Sequence, residues 1–154
     1  MKCNPNDEYR PRYFFDDGIR FECRRCGACC TGDPGIIRIS DPEILLLADF
    51  LEISASELIR IHLQPISEGF SIIEEQDGRC RFYDQGCLIY PVRPLQCRTY
   101  PFWFGLMRSS SQWKKALKEC PGIGAGALYS RERILDILSQ SIDHLQFTCS
   151  SGCG

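Results

Sequence analysis

The chain carries almost no excess of charge of either sign: 18 basic against 20 acidic side chains leave a formal net charge of -2. Nucleic-acid binding needs a basic footprint, so composition argues against that partner class. Long apolar runs are also lacking. The longest candidate, Ile44 to Leu51, is interrupted by Asp49 and falls far short of the ~20 residues that cross a bilayer. Asp7, Glu8 and Arg10 stand where a secretory leader would need an apolar run, so no membrane partner is expected and the expected location is the cytoplasm. Histidine is scarce: His62 and His144 lie on expected helices, far in sequence from other metal-binding side chains, which suits packing or surface roles. No Ser-His-Asp or paired-carboxylate arrangement can be argued from the spacings, and no catalytic residue is assigned.

What the chain has instead is cysteine, 11 in 154 residues. A domain of this length buries roughly 70% of its unfolded surface and folds without covalent staples. In a reducing cytosol, many cysteines mean metal or redox chemistry before they mean disulfides.

Periodicity and turn chemistry outline one small mixed α+β domain with short strands and about three helices around a cysteine-rich metal site. Residues 1–17 are polar and proline-interrupted. They read as an arm whose aromatics, Tyr13, Phe14 and Phe15, pack on the body. Gly18 to Cys23 alternates as a half-buried strand, and Ile36 to Ile39 is a second β-branched run. Ser40-Asp41-Pro42-Glu43 has the form of a capping box and opens a helix to about Leu51. Ser54-Ala55-Ser56-Glu57 opens another to about Leu63, with Pro65 closing it. Phe70 to Glu74, Cys80 to Tyr83 and Cys87 to Tyr90 follow as short extended runs between turns at Asp77-Gly78 and Asp84-Gln85-Gly86. A last helix spans about Ser130 to Leu145. The metal-binding domain is accordingly placed at residues 18–148, and residues 149–154 are expected to be a flexible tail.

The specific signal is Cys23-x2-Cys26-Gly27-x-Cys29-Cys30. Two cysteines separated by two residues can grip one ion because the intervening backbone turns its amides toward the sulfurs, and Gly27 relieves that turn. Three cysteines at successive intervals of this kind match the consecutive ligands of bacterial ferredoxins, which hold a cubic iron-sulfur cluster. Cys29 and Cys30 are adjacent, and neighbouring side chains diverge, so one of them is expected to serve a second centre or to lie outside the coordination sphere. Cys80 and Cys87 flank a tight turn, and Cys97 and Cys120 complete a set of eight, enough for two four-thiolate sites. The remaining cysteines, Cys3, Cys149 and Cys153, are left unassigned.

Phe21-x-Cys23-x2-Cys26-Gly27-x-Cys29-Cys30, then Cys80, Cys87-x-Ile89-Tyr90-x2-Arg93-Pro94-x2-Cys97-Arg98-x-Tyr100-Pro101-Phe102 and Cys120-Pro121-Gly122 resemble the CxxCxxCC cysteine-cluster family of YkgJ-type zinc- or iron-chelating proteins. The resemblance spans roughly residues 21 to 126. It implies a chelating role with zinc and iron both open, and no settled reaction. A related motif in flagellin lysine N-methylases is the link to an enzyme, although this chain is much shorter. Arg93 and Arg98 belong to the family block and are the arginines best placed by sequence to donate hydrogen bonds to ligand sulfurs. Gly122, Gly124 and Gly126 form a Gly-x-Gly-x-Gly string, but no buried strand precedes it, so a tight turn beside Cys120 is preferred over a nucleotide or S-adenosylmethionine loop.

Three functions follow as expectations. The leading one is a metal-binding protein holding an iron-sulfur cluster, with 4Fe-4S favoured, or zinc, for electron transfer, sensing or structure. The second is a small component of a protein-lysine methylation system. The third is a metal-stabilised protein-interaction module.

Overall fold

The computed structural model describes residues 12–32 and 35–150, the stretch 142–150 by its backbone alone. Cys3, Cys153, most of the expected arm and the end of the expected tail lie outside the described residues, as do the side chains of His144 and Cys149. In chain order the elements are β1 (Ile19–Phe21), α1 (Ala28–Thr31), β2 (Arg38–Ile39), α2 (Asp41–Phe50), α3 (Ala55–His62), β3 (Leu63–Pro65) and β4 (Phe70–Ile72). A 3-10 turn (Tyr90–Val92), α4 (Leu95–Arg98), α5 (Phe104–Met107), α6 (Ser110–Glu119), β5 (Ala127–Tyr129) and α7 (Arg131–Ser150) follow. The fold is mixed α+β, with two small antiparallel sheets, β1-β5 and β2-β4-β3.

The caps read from sequence set the central helices. At the start of α2 the Ser40 amide donates to Glu43 Oε2 at 2.8 Å within a full capping box, which satisfies amides the helix leaves free. Ile44, Leu47 and Ala48 then fall on one buried face. At α3 the Glu57 amide donates to Ser54 Oγ at 3.1 Å, and Leu58 is fully buried. The helix ends at His62, and Leu63 turns into β3, which pairs with β4. Ile37, Ile39, Leu47, Leu58, Leu63, Ile72, Phe82 and Ile89 make one apolar cluster with these elements. A second cluster joins Phe15, Phe102, Trp113, Ala116 and Ile134, using α6 and α7. The aromatics of the arm reach it through Phe15, which is buried, and Phe14, whose ring lies 5.9 Å from Trp113.

The helix number exceeds the expectation of about three. Of the four additions, α1, α4 and α5 are single turns, too short to show a period. The ten-residue α6 buries only Trp113 and Ala116, and a stripe that narrow within a Lys-rich segment carries little periodic signal. The runs around Cys80 and Cys87 form no strands and pair only through the single bridges Glu74 to Cys80 and Tyr83 to Cys87.

The glycine string is a packing device. Glu22 N donates to Gly122 O at 3.1 Å and Gly124 N to Arg20 O at 2.8 Å, which lays this segment along β1. A Cβ on Gly122 would collide with the Glu22 carbonyl. The contact brings the chain just after Cys120 beside the chain just before Cys23. Gly122→Ala is expected to destabilise the protein by about 1–3 kcal/mol through forced backbone displacement, measured by denaturant unfolding.

His62 ends α3 with its ring 5.0 Å from Phe82, and its Nδ1 is buried without a partner. Desolvation, then the nearby Arg81, lowers its pKa, with Glu57 opposing. The folded state therefore binds this proton less readily than the unfolded chain does. Stability is full above the ordinary histidine value of about 6.5 and falls as pH drops toward the lowered folded value. His62→Gln should remove that acid loss: the stability gap between wild type and variant, from urea unfolding, should shift in favour of the variant between about pH 7.5 and about pH 5.5.

Candidate metal centre

All eight cysteines read from the sequence blocks are free thiols. Six of them, Cys23, Cys29, Cys30, Cys80, Cys87 and Cys97, line one cavity of about 30 Å³, together with Arg25, Tyr90 and Arg93. Cys26 is exposed and Cys120 is buried, and neither lines that cavity. These two, with Cys29, stand close enough for their charges to act on one another and on the Tyr100 phenol. Among the described residues no three Cys, His, Asp or Glu side chains are close enough to hold one ion as they stand.

Different segments deliver the thiols. Gly27 enters α1 at φ +80, a left-handed value that glycine adopts without cost, and a Cβ there would collide with the Tyr83 ring. The next turn carries Cys29 and Cys30. Their sulfurs lie 3.9 Å apart, which corrects the expectation that adjacent cysteines diverge. Neighbours on a helix point ~100° apart, but each sulfur extends beyond Cβ, and rotation about χ1 lets both face the cavity. Cys80 N donates to Cys30 O at 2.7 Å, tying the Cys80–Cys87 loop to α1.

Cys97 rides on α4, which makes few bonds of its own. Its first amide, Leu95 N, donates to Glu43 Oε1 at 2.7 Å. Gln96 accepts from Arg38 N at 3.0 Å and donates to Ile36 O at 2.7 Å, fastening α4 beside β2. Trp103 Nε1 donates to Gln96 O at 2.6 Å. Glu43 had been legible only as half of a capping box; no sequence signal reports a partner 52 positions away.

The electrostatics divide the thiols, favouring ionised sulfur at Cys29 and Cys87 and disfavouring it at Cys30, Cys80, Cys97 and Cys120. The hydrogen bond between Cys29 and Cys30 lowers Cys29 to about 7 against the cost of burial, with the Arg93 charge adding to the shift. Hydrogen bonding with Cys30 likewise lowers Cys87 to about 6, helped by Arg93 and Arg25. Cys30 is pushed upward by its bonds to Cys29 and Cys87. Burial raises Cys80, Cys97 and Cys120. Thiolate, not thiol, is the metal ligand, so this set of soft donors, two of them already acidic beside cationic groups, fits a thiolate-bound metal.

The two arginines named from sequence separate. Arg93 lines the cavity, and its Nε donates to Tyr90 O at 3.1 Å. Arg98 is exposed at the end of α4 and is absent from the cavity wall. Arg25 occupies the wall with Arg93.

The family model for CxxCxxCC, a putative zinc- or iron-chelating domain, matches residues 22–121. An uncharacterized protein of Methanocaldococcus jannaschii is 29% identical over 89 residues, covering 56% of this chain and 47% of the relative. The chain thus spans about half the length of that relative. No solved structure matches. Among the described residues no helix is long and apolar enough to cross a membrane.

Glu43 links the cap of α2 to the turn that carries Cys97. Glu43→Ala should cost about 2 kcal/mol or more, since it removes a cap and leaves a charge-assisted bond unmade. Glu43→Gln should cost less. Thermal unfolding of the three proteins checks the order.

Proposed function

From the premise that this chain belongs to the CxxCxxCC family of zinc- or iron-chelating domains, we propose that its clustered thiolates hold an iron-sulfur centre, with 4Fe-4S favoured, that serves electron transfer or sensing. The observation that carries metal binding by thiolates is the six thiols on one cavity. A closed zinc site and a cubic cluster each take four thiolates, so the cavity has ligands enough for either, and the preference for the cluster rests on the Cys23-x2-Cys26-x2-Cys29 spacing, which matches the consecutive ligands of bacterial ferredoxins. The group would supply a one-electron couple. The chain's own part is to present ionised sulfur, exclude water with Ile37, Ile72 and Ile89, and place positive charge beside the centre.

Zinc is the second reading, favoured by one distance. The Cys29 to Cys30 sulfur separation of 3.9 Å is close to the ~3.8 Å edge of a tetrahedron built on ~2.3 Å zinc-sulfur bonds. A closed zinc site of that kind would be structural.

Anaerobically purified protein separates the two. Brown protein with equal iron and acid-labile sulfide supports the cluster; colourless protein with zinc supports the second reading; protein without either metal sinks both. Cys29→Ser should release the metal and lower the melting temperature of the loaded protein by several degrees, as expected when metal binding is coupled to folding. Cys153→Ser should not. Equal melting of the two variants would count against both readings.

A further inference from the structure

Two guanidinium groups share one tyrosine. Arg25 Cζ lies 3.8 Å from the centre of the Tyr90 ring, and Arg93 Cζ also lies 3.8 Å from it. A single ring face cannot hold two guanidiniums at that height, so the arginines occupy opposite faces with the ring between them. Like charges do not gather this way without a reason. The negative faces of the ring attract each one and keep the pair apart.

The arrangement is also directed. All three side chains line the cysteine cavity. Among the described residues neither arginine forms an ion pair with a carboxylate, unlike Arg24 with Glu22 or Arg81 with Glu75. Their charge is therefore left to act on the thiolates. Arg25 is exposed and sits at φ +53, a left-handed conformation uncommon for a residue with a Cβ. Without the ring its long side chain would be free to swing into water.

We propose that Tyr90 is a positioning residue that holds Arg25 and Arg93 against the cavity as a paired counter-charge for an anionic metal-thiolate centre. This rests on the metal-binding reading above and goes beyond it by assigning the element that retains the metal. Tyr90 acts through its ring faces and touches no ligand in this role. The hydroxyl is dispensable, so phenylalanine should substitute and an aliphatic residue should not.

The test uses the metal-loaded full chain and follows metal loss to a competing chelator. Tyr90→Leu should release metal roughly tenfold to hundredfold more readily, the range for groups that support metal ligands from outside. Tyr90→Phe should stay within about twofold of wild type. In an Arg25→Met, Arg93→Met background, Tyr90→Leu should add no more than about twofold, since its effect passes through the arginines. Three results would overturn the proposal: Tyr90→Leu equal to wild type, Tyr90→Phe as weak as Tyr90→Leu, or an undiminished loss in the arginine-free background. If Tyr90→Leu does not fold, Arg25→Met and Arg93→Met singly should each weaken retention, and unchanged retention in both overturns it. A wild type that binds no metal defeats the metal-site reading and this inference together. A metal-bound wild type with an inert Tyr90 defeats this inference alone.

Discussion

Five of the six thiols on the cavity lie on segments too short to hold their own shape, and this constraint organises the rest of the structure. A one-turn helix carries Cys29 and Cys30, a second carries Cys97, and a loop held by single bridges carries Cys80 and Cys87. One turn gains a single hydrogen bond for three fixed residues. Such segments stay folded only when something larger grips them. The apolar cluster of α2, α3 and the three-stranded sheet provides that grip, with Cys30, Cys87 and Cys97 packed against it.

The grip is reinforced at few points, and they are polar. The Glu43 carboxylate divides its oxygens between the start of α2 and the start of α4. Gln96 ties α4 to the chain leading into β2 from the other side. Pro94 and Pro101 bracket the same segment and are both buried, so few conformations remain open to it. Among the described residues the longest helices thus serve as scaffolding and the shortest carry the chemistry.

Charge imposes the second requirement. Thiolates crowded on one cavity repel one another, and burial penalises each of them. Hydrogen bonding among Cys29, Cys30 and Cys87 relieves part of this, and Arg25 and Arg93 relieve more. Hydrophobic walls from Ile37, Ile72 and Ile89 strengthen every one of these interactions by keeping water out.

The sequence alone determined the local events: both capped central helices, the strands β1, β2 and β4, the terminal helix and the cysteine blocks were legible because their signals lie within a few residues of each other. It could count eight thiols and name the chemistry they suit. Only the tertiary structure decided which six meet on one cavity, that Cys29 and Cys30 turn the same way, that Arg25 takes the place expected for Arg98, and that Glu43 reaches Leu95. Those outcomes depend on side-chain rotation and on partners tens of positions apart. Neither leaves a period or a spacing, because a hydrogen bond across 52 residues asks only that one carboxylate and one amide arrive at the same point.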